Sequence, residues 1–87
     1  MLSLLQARYV AELDCEIGVN IAVDYLHDVC GYDVSSYYEE LKDVSEEDFD
    51  IKNLEARDNL YHKLGIWDIM QEAYELYEKE LKEVGLR

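Results

Sequence analysis

Carboxylates dominate the side chains of this sequence that could do chemistry: 21 Asp and Glu stand against eight Lys and Arg in 87 residues, a formal net charge of -13. They crowd most densely in "SYYEELKDVSEEDFD", residues 36–50, where seven acids meet one lysine. General acid–base catalysis needs two carboxylates in distinct environments, and in a chain this acidic the nearness of two acids carries no information about such roles. A calcium loop needs glycine at its sixth position and an acid at its twelfth, where residues 43–54 have Asp48 and Leu54. Structural zinc needs about four ligands. His27 and Cys30 can share a helical face, but the other histidine, His62, stands alone, so Cys15 and Cys30 read as buried free thiols. No Gly-rich phosphate loop, serine elbow or Cys–His pair with an orienting acid is legible. The sequence therefore reads as a non-enzyme, with no cofactor or metal expected.

Recognition by charge remains. Small domains stay soluble with a net charge of about 2 to 8, and a larger surplus destabilises the compact state by self-repulsion. Split into residues 1–31, 32–50 and 51–87, the net charge is -4, -7 and -2. Duplex DNA carries one charge per about 1.7 Å of axis, so thirteen charges correspond to roughly 22 Å of duplex. An acidic face of that density can occupy a basic nucleic-acid channel, while the same charge disfavours direct binding to DNA or RNA. Eight tyrosines, several beside the acids, add area of the kind found at protein interfaces. The expected partner-binding surface comprises Asp24, Asp28, Tyr32, Tyr37, Tyr38, Glu39, Glu40, Asp43, Glu46, Glu47 and Asp50. Its expected partner is a basic nucleic-acid-binding protein, blocked in the manner of small phage anti-CRISPR and anti-restriction proteins, an analogy of size and charge rather than of motif. The competing reading is a helical adaptor or regulatory subunit, homodimeric in one form, whose acidic face only keeps it soluble.

The elements that position these acids are helices. The chain has no proline, and its glycines punctuate apolar residues of helical period. "VNIAVDYLHDVC" places Val19, Ile21, Ala22, Val23, Tyr25, Leu26, Val29 and Cys30 on one side and ends at Gly31; the alternation from Ile17 to Tyr25 also fits a strand but explains only half the segment. Whether residues 2–30 form one helix or two stays open at Gly18. A further helix starts near Val34, capped by Asp33 or by a Ser36–Glu39 box, with Val34, Tyr37, Tyr38, Leu41 and Val44 on its apolar face. Ser45 with Asp48 signals a break, after which Phe49, Leu54, Ala56, Leu60, Tyr61 and Leu64 run to Gly65. If helix persists through most of 34–50, Glu39, Asp43, Glu46 and Asp50 line one side. The last helix, "IWDIMQEAYELYEKELKEVG", is apolar over half its circumference, from Ile66 to Val84, with Glu75–Lys79 and Glu78–Lys82 as i, i+4 pairs. Arg57 and Glu80 fall inside apolar arcs, where they either snorkel at the core edge or pair with each other.

The whole reads as one all-α domain spanning residues 1–87, a compact bundle of four or five short amphipathic helices. A domain of this size hides only about 60% of its unfolded surface, so its core is small. No apolar run approaches the roughly 18 residues of a membrane span, the opening "MLSLLQARYVAELD" is unlike a secretory signal, and a cytoplasmic protein is expected.

Overall fold

Ser3 opens the first helix: its hydroxyl accepts from the Gln6 N–H at 3.1 Å while the Gln6 side chain accepts from the Ser3 N–H at 3.2 Å, a closed capping box. The computed structural model describes residues 2–85. The helices are α1 (Leu4–Glu16), α2 (Val19–Asp28), α3 (Ser35–Leu41), α4 (Phe49–Lys63) and α5 (Trp67–Gly85). The protein is 76% helical, with no strand among the described residues, so the all-α expectation holds and the alternation near Ile17–Tyr25 is helix. The side chain of Val84 lies outside the described residues.

Three glycines set the boundaries. Ile17 and Gly18 both donate to the Leu13 carbonyl at 2.9 Å and end α1, which makes residues 2–30 two helices. Gly31 (φ 77°) and Gly65 (φ 72°) take left-handed conformations that only glycine adopts at little cost. At Gly65 the Ile66 N–H reaches the Tyr61 carbonyl at 3.0 Å and the Gly65 N–H reaches that of His62 at 3.1 Å, the Schellman pattern. The reversed chain then stacks Trp67 on His62 at 4.1 Å between ring centroids.

The expected continuous helix across 34–50 does not form. α3 stops at Leu41, and residues 42–48 run in turns before α4 restarts at Phe49. Like charges three and four residues apart each destabilise a helix by about 0.2–0.5 kcal/mol. Beyond Leu41 no residue before Ala56 is fully buried to offset them. The Ser36–Glu39 box is likewise not made. Val34 takes the N-cap position without a side-chain cap bond, and Asp33 just before it closes a local turn: its carboxylate accepts from the Ser35 N–H at 3.0 Å and hydroxyl at 2.7 Å, which holds its carboxyl below the usual range. The Ser45–Asp48 contact, at 3.3 Å, marks the predicted restart.

The core is assembled from small and large side chains in alternation. Ala7, Ala11, Ala22, Ala56 and Ala73 are wholly buried and let the helices approach closely, while Leu26, Leu60, Tyr61 and Met70 fill the space between. α1 packs chiefly on α5 and α2, and α3 on α4; α4 completes the unit by meeting α2 and α5. The result is a slab of 43 × 32 × 20 Å. Several residues predicted for apolar faces are exposed instead, among them Ile21, Val29, Phe49 and Leu54. A slab 20 Å thick has too little interior to cover them.

Candidate protein-binding surface

Arg57 and Glu80 do not pair with each other. Arg57 donates from Nη1 to Asp14 at 2.7 Å and from Nη2 to Asp58 at 2.9 Å; Glu80 accepts from Arg8 Nε at 2.7 Å. Each charge thus finds its partner on α1, because α1 lies against α5 and its C-terminal end reaches α4. Asp14 is the buried member, its side chain 4% exposed. It also accepts from the Tyr74 hydroxyl, which lies 3.0 Å from that of Tyr61, and the Arg57 guanidinium sits 5.6 and 5.9 Å from the Tyr74 and Tyr61 ring centroids. Burial pushes the Tyr61 and Tyr74 phenols far up. Among the described residues no buried side-chain polar atom lacks a partner, so this network is a satisfied clamp joining α1, α4 and α5. Arg57 is neither snorkelling nor free.

The acids of residues 36–50 behave differently. Glu39, Glu40, Asp43, Glu46, Glu47, Asp48 and Asp50 are all exposed, and none makes an ion pair within 4 Å among the described residues. Three cations of the described residues are engaged elsewhere: Arg8 with Glu12 and Glu80, Lys52 with Glu55, Arg57 with Asp14 and Asp58. The expected Glu75–Lys79 and Glu78–Lys82 pairs are not closed either, as is usual for long exposed side chains that gain little from holding one geometry. The unpaired carboxylates are therefore densest around α3 and the turns after it.

The structure joins some of the expected surface residues and separates others. Tyr38, 46% exposed, donates its hydroxyl to Asp24 on α2 and so brings that acid alongside α3. Burial, together with this bond, pushes the Tyr38 phenol up to about 12. Glu40 accepts from Asn59 at 2.8 Å and, with Val44, Lys52 and Glu55, lines a shallow groove between α3 and α4. Asp28 is exposed beside His27 at the end of α2. With α3 ending at Leu41, Glu39, Asp43, Glu46 and Asp50 do not share one helical face but spread over α3, the turns and the first turn of α4. Glu47 lies in the same turns.

Two tyrosines leave the expected surface. Tyr37 is 1% exposed, its hydroxyl donating to Asn53 inside the α3–α4 pair, and it presents nothing to a partner. Tyr32 packs against the core and lines a cleft with Leu2, Leu64, Ile66 and Ile69, away from the acidic turns. In their place stand Phe49 and Ile51, exposed at the start of α4 amid Asp48 and Asp50. No group of three or more His, Cys, Asp or Glu placed to hold a metal occurs among the described residues. Both cysteines are free, and Cys15 is exposed rather than buried as expected. Among the described residues no helix is long and apolar enough to cross a membrane. Compared with protein-family models, with curated proteins and with solved structures, the chain matches none.

Proposed function

We propose that this protein acts by binding another protein, and that its acidic surface around α3 and residues 42–50 occupies a basic nucleic-acid-binding site on that partner. The observation that supports this reading is the density just described: every acid of 36–50 is exposed and, among the described residues, without an ion pair, while Arg8 and Arg57 are held by acids elsewhere in the fold. A surface serving solubility alone gains nothing from concentrating unpaired carboxylates on one segment, since interspersed charges serve as well. Seven carboxylates match the charge of roughly 12 Å of duplex, enough to compete for a short stretch of phosphate contacts. Phe49, Ile51 and Tyr38 supply apolar area among the acids, where interfaces draw most of their affinity. Inhibition of the partner follows from occupancy, as in anti-CRISPR and anti-restriction proteins, and no chemistry is required of this chain.

The test is capture from a lysate of the source cell on the immobilised protein, with elution by duplex DNA. Retained proteins should bind nucleic acid and be released by DNA and by rising salt. Reversal of Glu39, Asp43, Glu46 and Asp50 to lysine should abolish capture, whereas the same reversal of Glu72, Glu75, Glu78 and Glu83 on α5 should not, although net charge changes equally. Equal loss from both sets, or retention that DNA cannot compete, would rule the reading out.

A further inference from the structure

The side-chain hydrogen bonds that join one helix to another fall into two separate sets. Within the α3–α4 hairpin, Tyr37 donates to Asn53 and Asn59 donates to Glu40 at 2.8 Å. Within the group of α1, α2 and α5, Arg8 donates to Glu80 at 2.7 Å and Tyr77 to Glu16 at 2.8 Å. Three links cross between the sets among the described residues: Arg57 to Asp14 at 2.7 Å, the Tyr61 and Tyr74 hydroxyls 3.0 Å apart, and Tyr38 to Asp24. The apolar seam beneath these links is thin. Of its fifteen residues α4 buries Ala56, Leu60 and Tyr61 and none before them, and α3 lies against no helix but α4 among the described residues. α1, by contrast, buries Ala7, Val10, Ala11, Leu13 and Asp14 and packs on both α2 and α5. The chain enters the hairpin just after Gly31 and leaves it at Gly65, where φ is positive and an added Cβ would meet nothing within 4 Å.

We propose that the α3–α4 hairpin is a flap that parts from α1, α2 and α5 as one unit, bounded by Gly31 and Gly65 and latched by the Arg57–Asp14 pair, while those three helices stay folded. A unit with few buried apolar side chains opens at less free energy than the core it leans on. A seam held by polar groups also parts more readily than an apolar one, because the freed groups regain water. Residues 33–64 carry ten acids against four Lys and Arg, and that repulsion works against closure. Unpacked backbone at both glycines gives the chain room to turn there. Once parted, a helix of seven residues and one of fifteen are marginal in water, so opening and loss of their helix coincide. Closure is what sets Asp24 of α2 alongside α3, so the flap governs whether the acidic surface is whole. This opening belongs to the free protein and does not depend on which partner that surface meets.

The measurement is native-state hydrogen exchange of the full chain, followed amide by amide by NMR and corrected for intrinsic rates. The slowest amides of α3 and α4 should exchange alike, and about ten-fold or more faster than the slowest of α1 and α5. Two variants then separate flap opening from unfolding of the whole. Tyr77→Phe loses the Glu16 bond of the α1–α5 seam, which the open and closed states share. It should therefore speed exchange in α1 and α5 by about three-fold or more and leave α3 and α4 within about two-fold. Arg57→Met weakens the closed state alone, so it should speed α3 and α4 by about ten-fold or more, and α1 and α5 by the same factor. One common rate for the slow amides of all five helices would mean that the protein opens only as a whole, and would overturn the proposal. So would Tyr77→Phe speeding α3 and α4 as much as α1, or Arg57→Met leaving α3 and α4 unchanged.

Discussion

Replacing Arg57 tests the clamp that joins α1, α4 and α5. Arg57→Met keeps most of the aliphatic volume but strips Asp14 of its cation, leaving a carboxylate whose side chain is 4% exposed with only the Tyr74 hydroxyl as partner. Breaking a buried pair from one side costs about 3–5 kcal/mol when both members are fully buried. Here Arg57 is 19% exposed, so water reaches part of the site, and about 2–4 kcal/mol is expected. For a domain of this size each kcal/mol lowers Tm by roughly 4–8 °C, so a drop of at least about 8 °C should be seen. Asp14→Asn removes the charge while keeping the shape. In the double-mutant cycle Arg57 and Asp14 should couple by about 1.5–3 kcal/mol, the range of a charged hydrogen bond. The same cycle between Arg57 and Glu80 should be additive, because Glu80 bonds to Arg8. Urea unfolding followed by circular dichroism measures all of these. Additivity of Arg57 with Asp14, or coupling of Arg57 with Glu80, would refute the clamp that ties α1 to α4 through Asp14.

Gly65→Ala should destabilise by roughly 1–2 kcal/mol, because φ is 72° there and the added methyl meets nothing, so the whole cost is conformational. Gly18→Ala should cost less: its backbone is extended and the methyl meets only the mobile end of Asn20 at 3.0 Å. Equal melting temperatures for the Gly65→Ala variant and the parent would contradict the left-handed turn. In alkali, burial holds the Tyr37 phenol up to about 12, and burial with the Asp24 bond does the same for Tyr38, against 10.0 for a free phenol. The folded state keeps these protons longer than the unfolded one. Their contribution is therefore complete below about pH 10 and declines as pH rises through about 12, which the urea midpoint should track. A midpoint flat across that range would show both phenols to be freely solvated.

Much of the fold was legible because its boundaries rest on residues with one physical role. Gly31 and Gly65 stop helices wherever a left-handed residue is needed, and the period from Ile66 to Tyr77 has no competing reading. Asp14 was also open to detection: it stands three, four and seven residues beyond Ala11, Val10 and Ala7, on the stripe that α1 buries. A charge on that stripe asks for a cation, and Arg57 was visibly the candidate. The middle of the chain was harder. Ser36 with Glu39 and Asp33 with Ser35 are competing local turn signals of similar strength, and tertiary packing decided between them. Tyr37 and Tyr38 are adjacent on a two-turn helix, about 100° apart, so which one enters the core depends on where α4 lies. No local pattern carries that information.

The pairing of α1 with α5 brings together residues 72 apart, as Arg8 and Glu80 are, whereas α1–α2 and α3–α4 are neighbours in sequence. The two local pairs can form within short loops, but the long one must first close nearly the whole chain. Until it does, the Asp14 carboxylate lacks the Tyr74 hydroxyl and the buried stripe of α1 has only half its cover. Substitutions in the α1–α5 seam should then act mainly on the rate of unfolding, and those within the α1–α2 pair on the rate of folding. During synthesis the chain carries an open apolar seam until its last helix leaves the ribosome, and its strong like charge is what keeps such half-made molecules apart.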